Sequence, residues 1–179
     1  MYYGIDMGAS NMVWAVFNEQ GQEVMRDVQP TPNHDYQALR RLIKGWVRAA
    51  DQHWQITGRL GIGFAGVLQE NGQVVAINLL SIHGQFLAHD LAIDLQRPVA
   101  IDNDANCFLL SEANGGAAAQ AKLALGITLG TGVGGAITYQ GQLVNSQAGG
   151  VVSLAMPLLM PLSGRALLTY LYLLVVVGN

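Results

Sequence analysis

A run of glycines near residue 130 constrains this chain most. Leu129-Gly130-Thr131-Gly132-Val133-Gly134-Gly135 sets four glycines within residues 130–135, between two apolar runs. Glycine lets the backbone turn tightly and approach a ligand closely, and consecutive amides can form an anion nest. The flanks, residues 123–129 and 136–139, have strand length and composition, and Gln140-Gly141 follows as a turn. No Gly-Lys-Ser/Thr follows, so this is not a Walker loop. The segment after the glycines reads as strand and not helix, which argues against a dinucleotide fingerprint. A phosphate-binding hairpin and a merely structural one both remain open.

The rest of the chain alternates strands and helices. Residues 2–5 read as a short strand, Asp6-Met7-Gly8-Ala9-Ser10-Asn11 as a tight polar turn, and residues 12–17 as the returning strand. A third strand is expected over 23–28, stopped by Pro30 and Pro32. Asn33 or Asp35 then caps a helix in which Leu39, Leu42, Ile43, Trp46, Val47 and Ala50 recur at three- and four-residue spacing. Its other side carries Arg40, Arg41, Lys44 and Arg48, read as a solvated face. Strands follow over 60–64 and 73–77, a helix over 87–95, a strand over 99–101, and a helix over 107–115. This order predicts an α/β fold.

Composition removes several function classes. Hydrophobic residues make up 51% of the 179, so the chain is not disordered. Nine Lys and Arg against twelve Asp and Glu give a net charge of −3, which argues against nucleic acid held through its phosphates. The single cysteine, Cys107, excludes an internal disulfide and a CxxC metal site and reads as a small buried apolar side chain. No basic and apolar leader opens the chain, so a cytoplasmic location is expected.

Three loops can do chemistry. In the first, the Gly8 turn can aim amides at an anion, Ser10 can donate to a phosphate oxygen, and Asp6 can hold a metal ion through water. The second is the glycine run. The third is Asp102-Asn103-Asp104-Ala105-Asn106, at the carboxyl end of a strand where α/β folds place their sites. A carboxylate there can act as general base on a hydroxyl. An ordinary hairpin turn and a helix cap are the bland alternatives for the first and third. Together the three suggest phosphoryl transfer from a nucleotide to a sugar alcohol.

At these motifs the sequence resembles the ROK family of sugar kinases and repressors, of the actin-like ATPase (ribonuclease H-like) fold. Tyr2-Tyr3-Gly4-Ile5-Asp6-Met7-Gly8-Ala9-Ser10 is similar to its first phosphate motif, and Gly61-Ile62-Gly63-Phe64-Ala65-Gly66 to its sugar-side glycine loop. Asp102 to Cys107 and Leu129 to Gly135 resemble its catalytic and second phosphate motifs. The resemblance implies an N-terminal lobe over residues 1–118, the start of a second lobe over 119–150, and an apolar tail outside the family over 151–179. It implies ATP and Mg²⁺, and an amino sugar, N-acetyl-D-glucosamine, phosphorylated on its 6-hydroxyl. N-acetylmannosamine, glucose or fructose, or a non-catalytic sugar-binding fragment, are the alternatives.

Residue by residue, it implies Asp104 as general base. Asn103, Asn78, Gly66 and Asp104 would hold the sugar. Gly8, Ala9, Ser10, Asn11, Gly130, Thr131, Gly132, Val133 and Gly134 would face ATP, with Asp6 toward Mg²⁺ through water. His83 reads as a loop residue. The chain departs from the family where Ala9-Ser10-Asn11 replaces Gly-Thr-Lys and Ala65 replaces a proline. No helix-turn-helix precedes Met1, which favours the kinase branch.

After Gly150 the family's Gly-Glu-Phe-Gly-His and zinc-binding Cys-x-Cys-Gly motifs are absent, and Arg165 is the one charge in residues 151–177. Back-translated and read one base earlier, residues 152–156 can encode Gly-Glu-Phe-Gly-His, and residues 175–178 Cys-Gly-Cys-Gly. The expectation is a frameshifted ROK kinase, broken between Ala148 and Val152 and weak or inactive. Such a chain lacks the family's zinc site, and its homodimer is compromised. The rival is a membrane anchor. The uncharged run after Arg165, residues 166–177, has 12 residues, short of the roughly 18 needed to span.

Overall fold

The computed structural model describes residues 1–129 and 133–144, and the backbone of 171–177. The chain divides into two units, Met1–Asn103 and Asp104–Asn179. The sequence reading sets a boundary after residue 118; the division falls instead ahead of the helix that precedes it.

The first unit runs β1 (Tyr2–Met7), β2 (Asn11–Phe17), β3 (Glu23–Pro30), α1 (Tyr36–Trp54), β4 (Arg59–Phe64), β5 (Val67–Leu68), β6 (Val74–Val75), α2 (Leu87–Leu95) and β7 (Val99–Asn103). Its sheet has the order β3-β2-β1-β4-β7. The first three strands form an antiparallel meander, and β1, β4 and β7 are parallel. Pleating sends alternate residues to opposite faces. One face therefore carries the rows Val16–Tyr3–Leu60–Val99, Trp14–Ile5–Ile62–Ile101 and Met12–Met7–Phe64–Asn103. These rows pack in one core with Leu39, Ile43, Val47 and Ala50 of α1 and Leu87, Leu91 and Leu95 of α2. Trp14 stacks on Trp46 with centroids 5.8 Å apart.

Asp35 caps α1, accepting the Ala38 amide at 2.9 Å. The basic face of α1 is only partly solvated. Arg41 and Arg48 are exposed. Arg40 and Lys44 instead reach Asp94 of α2, at 2.8 and 3.5 Å, and the Tyr36 hydroxyl donates to Asp90 at 2.7 Å. β3 extends through Pro30, beyond its expected end, because an edge strand tolerates a residue without an N–H. The strand expected over 73–77 shrinks to β6, whose strand partner among the described residues is the two-residue β5.

The second unit runs α3 (Asp104–Ala113), β8 (Leu123–Leu129), β9 (Val133–Tyr139), β10 (Gln142–Leu143) and β11 (Leu171–Val177). Its sheet is antiparallel with the order β10-β9-β8-β11. Ala105 and Leu109 of α3 pack with Ala124 and Ala136 of the sheet. A Cβ at Gly126 would meet Leu109 Cβ at 3.1 Å, so glycine there lets helix and sheet approach closely.

Four expectations change here. α3 begins at Asp104 and not at Cys107, because Asp104 Oδ1 accepts the Ala105 amide at 2.9 Å and satisfies an amide of the first turn. Cys107 is half-buried, not fully enclosed. Val133, Gly134 and Gly135 are strand, held opposite Leu129, Thr128 and Ile127 in the β8–β9 ladder. In the tail, residues 171–177 pair with β8 along its whole length, from Leu171 opposite Leu129 to Val177 opposite Leu123. Their β-branched and aromatic composition suits a strand. The remainder of the expected tail lies outside the described residues.

A polar knot ties α1 to the sheet. Asp51 accepts from the Tyr3 hydroxyl at 2.9 Å, the Gly58 amide at 3.1 Å and the Arg97 guanidinium. Burial pushes the Asp51 carboxyl up, but the hydrogen bonds from Arg97, Gly58 and Tyr3 outweigh it and hold it below the usual carboxylate value. Tyr3 is pushed up to about 12, by burial first and the Asp51 bond second. Asp51 thus stabilises the fold above its unfolded pKa of about 3.9, and that contribution is lost as pH falls through the lower folded value. Asp51→Asn should cost about 1–3 kcal/mol at pH 7 in urea melts, and the gap to the unsubstituted chain should shrink at pH 3.

Candidate functional site

The parallel pairing of β1, β4 and β7 brings three carboxyl ends to one edge of the first sheet. Asp6 lies opposite Gly63, and Gly63 opposite Asp102. Two strand spacings set Asp6 and Asp102 about 10 Å apart on one face. Met7, Phe64 and Asn103 form the next row, on the buried face. Open parallel sheets bind ligands beyond these carboxyl ends. Asp102, to which the sequence reading gives no role, is thus level with Asp6, and its Oδ1 accepts the Asn103 amide at 2.7 Å. The alternation of β7 could have revealed this pairing once its register was known.

The first turn differs in detail from expectation. The Gly8 amide donates to the Asn11 carbonyl at 3.0 Å, so it closes the hairpin and is not aimed at an anion. Gly8 is not among the glycines with positive φ. The amides of Ala9 and Ser10 have no partner among the described residues. They are the anion donors this turn offers, with the exposed Ser10 and Asn11 side chains beside them. Thr31, absent from the sequence reading, clamps the turn from outside: its hydroxyl donates to Gly8 O at 2.6 Å and its amide to Ser10 O at 2.9 Å. Asp6 at the base of the turn is open to solvent, yet enough protein surrounds its carboxyl that burial raises its pKa. A cation beside such a carboxyl would favour its charged form.

Gly66 and Asn103 come together. Asn103 is 5% exposed, and its Nδ2 donates to Gly66 O at 2.7 Å. A Cβ at Gly66 would stand 2.7 Å from Val75 O and 2.9 Å from Phe64 Cε2, so no side chain fits. Asn78 is exposed, in the loop beyond β6, and its carbonyl accepts Asn33 Nδ2 at 2.8 Å. His83 in the same loop lies with Nδ1 3.0 Å from Ala76 O.

In the second unit Asp104 occupies the first turn of α3, partly exposed. Gly134 is its neighbour: a Cβ there would lie 3.8 Å from Asp104 Oδ1, 3.3 Å from Ala105 Cβ and 2.6 Å from Thr128 Oγ1. Gly134 therefore lets the β9 backbone run close beside the Asp104 carboxyl. Val133 and Gly134 belong to the β8–β9 ladder. Gly130, Thr131 and Gly132 lie outside the described residues.

Two substitutions check this geometry. Gly66→Ala should lower stability by about 1–3 kcal/mol in denaturant melts, since a backbone carbonyl blocks the new methyl. Asp6→Asn should raise Tm at pH 7, where the native carboxylate carries a burial penalty. That gain should vanish below about pH 4, where the unfolded carboxyl is protonated too.

The ROK family profile matches residues 2–153. The N-acetyl-D-glucosamine kinase of Yersinia pestis is 40% identical over 148 residues, covering 82% of this chain and 58% of the relative. That of Vibrio cholerae is 36% identical over 162 residues, covering 88% of this chain and 54% of the relative. A ROK family glucokinase from Streptomyces griseus, solved in complex with glucose and AMPPNP, is similar with a TM-score of 0.71 at 25% identity, over 85% of this chain and 48% of the other. The chain spans about half the length of the curated relatives it matches. The fold is the actin-like ATPase fold of these sugar kinases. No helix among the described residues is long and apolar enough to cross a membrane. No group of three or more His, Cys, Asp or Glu able to hold a metal stands among them.

Proposed function

Since the chain belongs to the ROK family, we propose that it binds N-acetyl-D-glucosamine and Mg–ATP in the manner of a sugar kinase and transfers the γ-phosphoryl group to the sugar's 6-hydroxyl. The observation that carries this reading is the one edge where the carboxyl ends of β1, β4 and β7 gather, with Asp6 level with Asp102 and, one residue on, Asn103 bonded to the Gly66 carbonyl. Asp104 follows Asn103 directly and takes the hydroxyl proton as the O6–P bond forms and the bond from phosphorus to the ADP oxygen breaks. Asn103, Gly66 and Asn78 orient the sugar. Ala9 and Ser10 amides, with Thr131 and its glycines, receive phosphate oxygens.

The donor set fits Mg²⁺ bound with its nucleotide. One carboxylate, Asp6, stands at the unpartnered amides with no further acid cluster among the described residues, which suits an ion that keeps several waters and takes other ligands from phosphates. Mg²⁺ neutralises phosphate charge during transfer. The site is assigned to the cytoplasm, where ATP is plentiful.

Positioning supplies most of phosphoryl transfer, so the residues that hold the two substrates matter as much as the base. A coupled assay with N-acetylglucosamine and ATP should find ADP release that requires the sugar. Asp104→Asn should lower it about 10²–10⁴-fold, in the range of general-base loss, while calorimetry shows sugar affinity within a few-fold of the unsubstituted chain. Absence of both sugar and nucleotide binding would refute the reading.

A further inference from the structure

The segment from Thr31 to Asn33 touches both proposed substrate loops of the first unit. At one end, Thr31 holds the first turn through two hydrogen bonds, hydroxyl to Gly8 O at 2.6 Å and amide to Ser10 O at 2.9 Å. At the other end, Asn33 Nδ2 holds Asn78 O at 2.8 Å, 45 residues away in sequence. Between them Pro32 restricts the backbone, and the Asn33 amide folds back onto Thr31 O at 2.7 Å. The Asp35 amide donates to Pro32 O at 3.3 Å, and Asp35 itself caps α1. The segment is therefore short, internally bonded and seated on a 19-residue helix. Two such ends joined by three stiff residues cannot move independently.

A second observation points the same way. Asn33 Oδ1 and Ser81 Oγ are both buried without a hydrogen-bond partner among the described residues. Asn33 is bonded to Asn78, and Ser81 lies three residues beyond it in the same loop. An unpaired buried acceptor costs stability, and a ligand or ordered water that supplies a donor recovers it. One orphan atom thus lies in the loop the sugar is assigned to, and the other on the residue bonded to that loop.

We propose that residues 31–33 form a positioning strap that couples the sugar loop at Asn78 to the phosphate turn at Gly8 and Ser10, so that filling one site tightens the other. The inference rests on the sugar-kinase reading above. Coupling between sites is reciprocal, with typical factors of about 5–150.

The test is titration calorimetry of the full chain with N-acetylglucosamine, with and without saturating Mg–AMPPNP. The unsubstituted chain should bind the sugar about tenfold more tightly with nucleotide present, within that typical range. Asn33→Ala and Thr31→Val should each bring the factor below about two, and Thr31→Ser, which keeps the hydroxyl, should retain it. A merely structural role would weaken binding but leave this ratio unchanged. If Asn33→Ala fails to fold by circular dichroism, the Thr31→Val and Thr31→Ser pair decides. Independent binding of the two ligands by the unsubstituted chain, or a ratio preserved in the variants, overturns the strap while leaving the kinase reading intact. Failure of the unsubstituted chain to bind either ligand overturns both.

Discussion

The parallel register of β1, β4 and β7 is the constraint on which the remaining geometry depends. Side chains alternate with a period of two, so a slip of one residue would exchange the two faces of a strand. Here such a slip in β4 would put Gly61 and Gly63 into the core in place of Leu60, Ile62 and Phe64. The large residues on one face therefore hold the register, and register alone sets Asp6 level with Asp102 and Met7 level with Asn103. The polar end of the buried row is tolerated because Asn103 finds the Gly66 carbonyl. A core contact and a site contact are thus the same hydrogen bond, and the packing that fixes the strands also aims the amide.

Local patterns in the sequence are sufficient for the elements and for the loops. The α1 stripe of Leu39, Ile43, Val47 and Ala50 follows from spacing, and the Asp35 cap from one side chain ahead of a helix. Asp6, Gly66 and Asn103 are legible because motifs are contiguous. What stays hidden joins distant segments. Arg40 and Lys44 look solvated because their partners sit 50 or more residues away on α2. Thr31 is an ordinary residue between two prolines until the fold places it against Gly8 and Ser10. The strand at 171–177 is obscured for a different reason: an apolar run has no period, so its composition can be read while its pairing with β8 cannot.

Glycine shows most clearly where sequence reasoning merges two causes. A glycine-rich motif invites an argument from backbone freedom, yet Gly58, Gly66 and Gly134 all lack positive φ. Each is glycine because of space: a Cβ would strike the Tyr3 ring at Gly58, the Val75 carbonyl at Gly66, and Thr128 Oγ1 at Gly134. Two of these three contacts border proposed substrate groups. Close approach of backbone to a polar side chain builds the site, and the amides free to meet an anion reside next to Gly8 rather than on it.

This division also bears on electrostatics. The protein that surrounds the Asp6 carboxyl makes its ionisation unfavourable. Binding of a cation with its phosphates reverses that penalty, since the ion favours the carboxylate and the neighbouring amides favour the anion. In the proposed function, part of the free energy of nucleotide binding then relieves a cost already present in the fold. Ligand occupancy and stability are linked for that reason, and any ligand that binds the native state alone must stabilise it. The first turn, the loop at Asn78 and Asn103 all lie in the first unit, so the proposed linkage between ligand and fold needs only that unit.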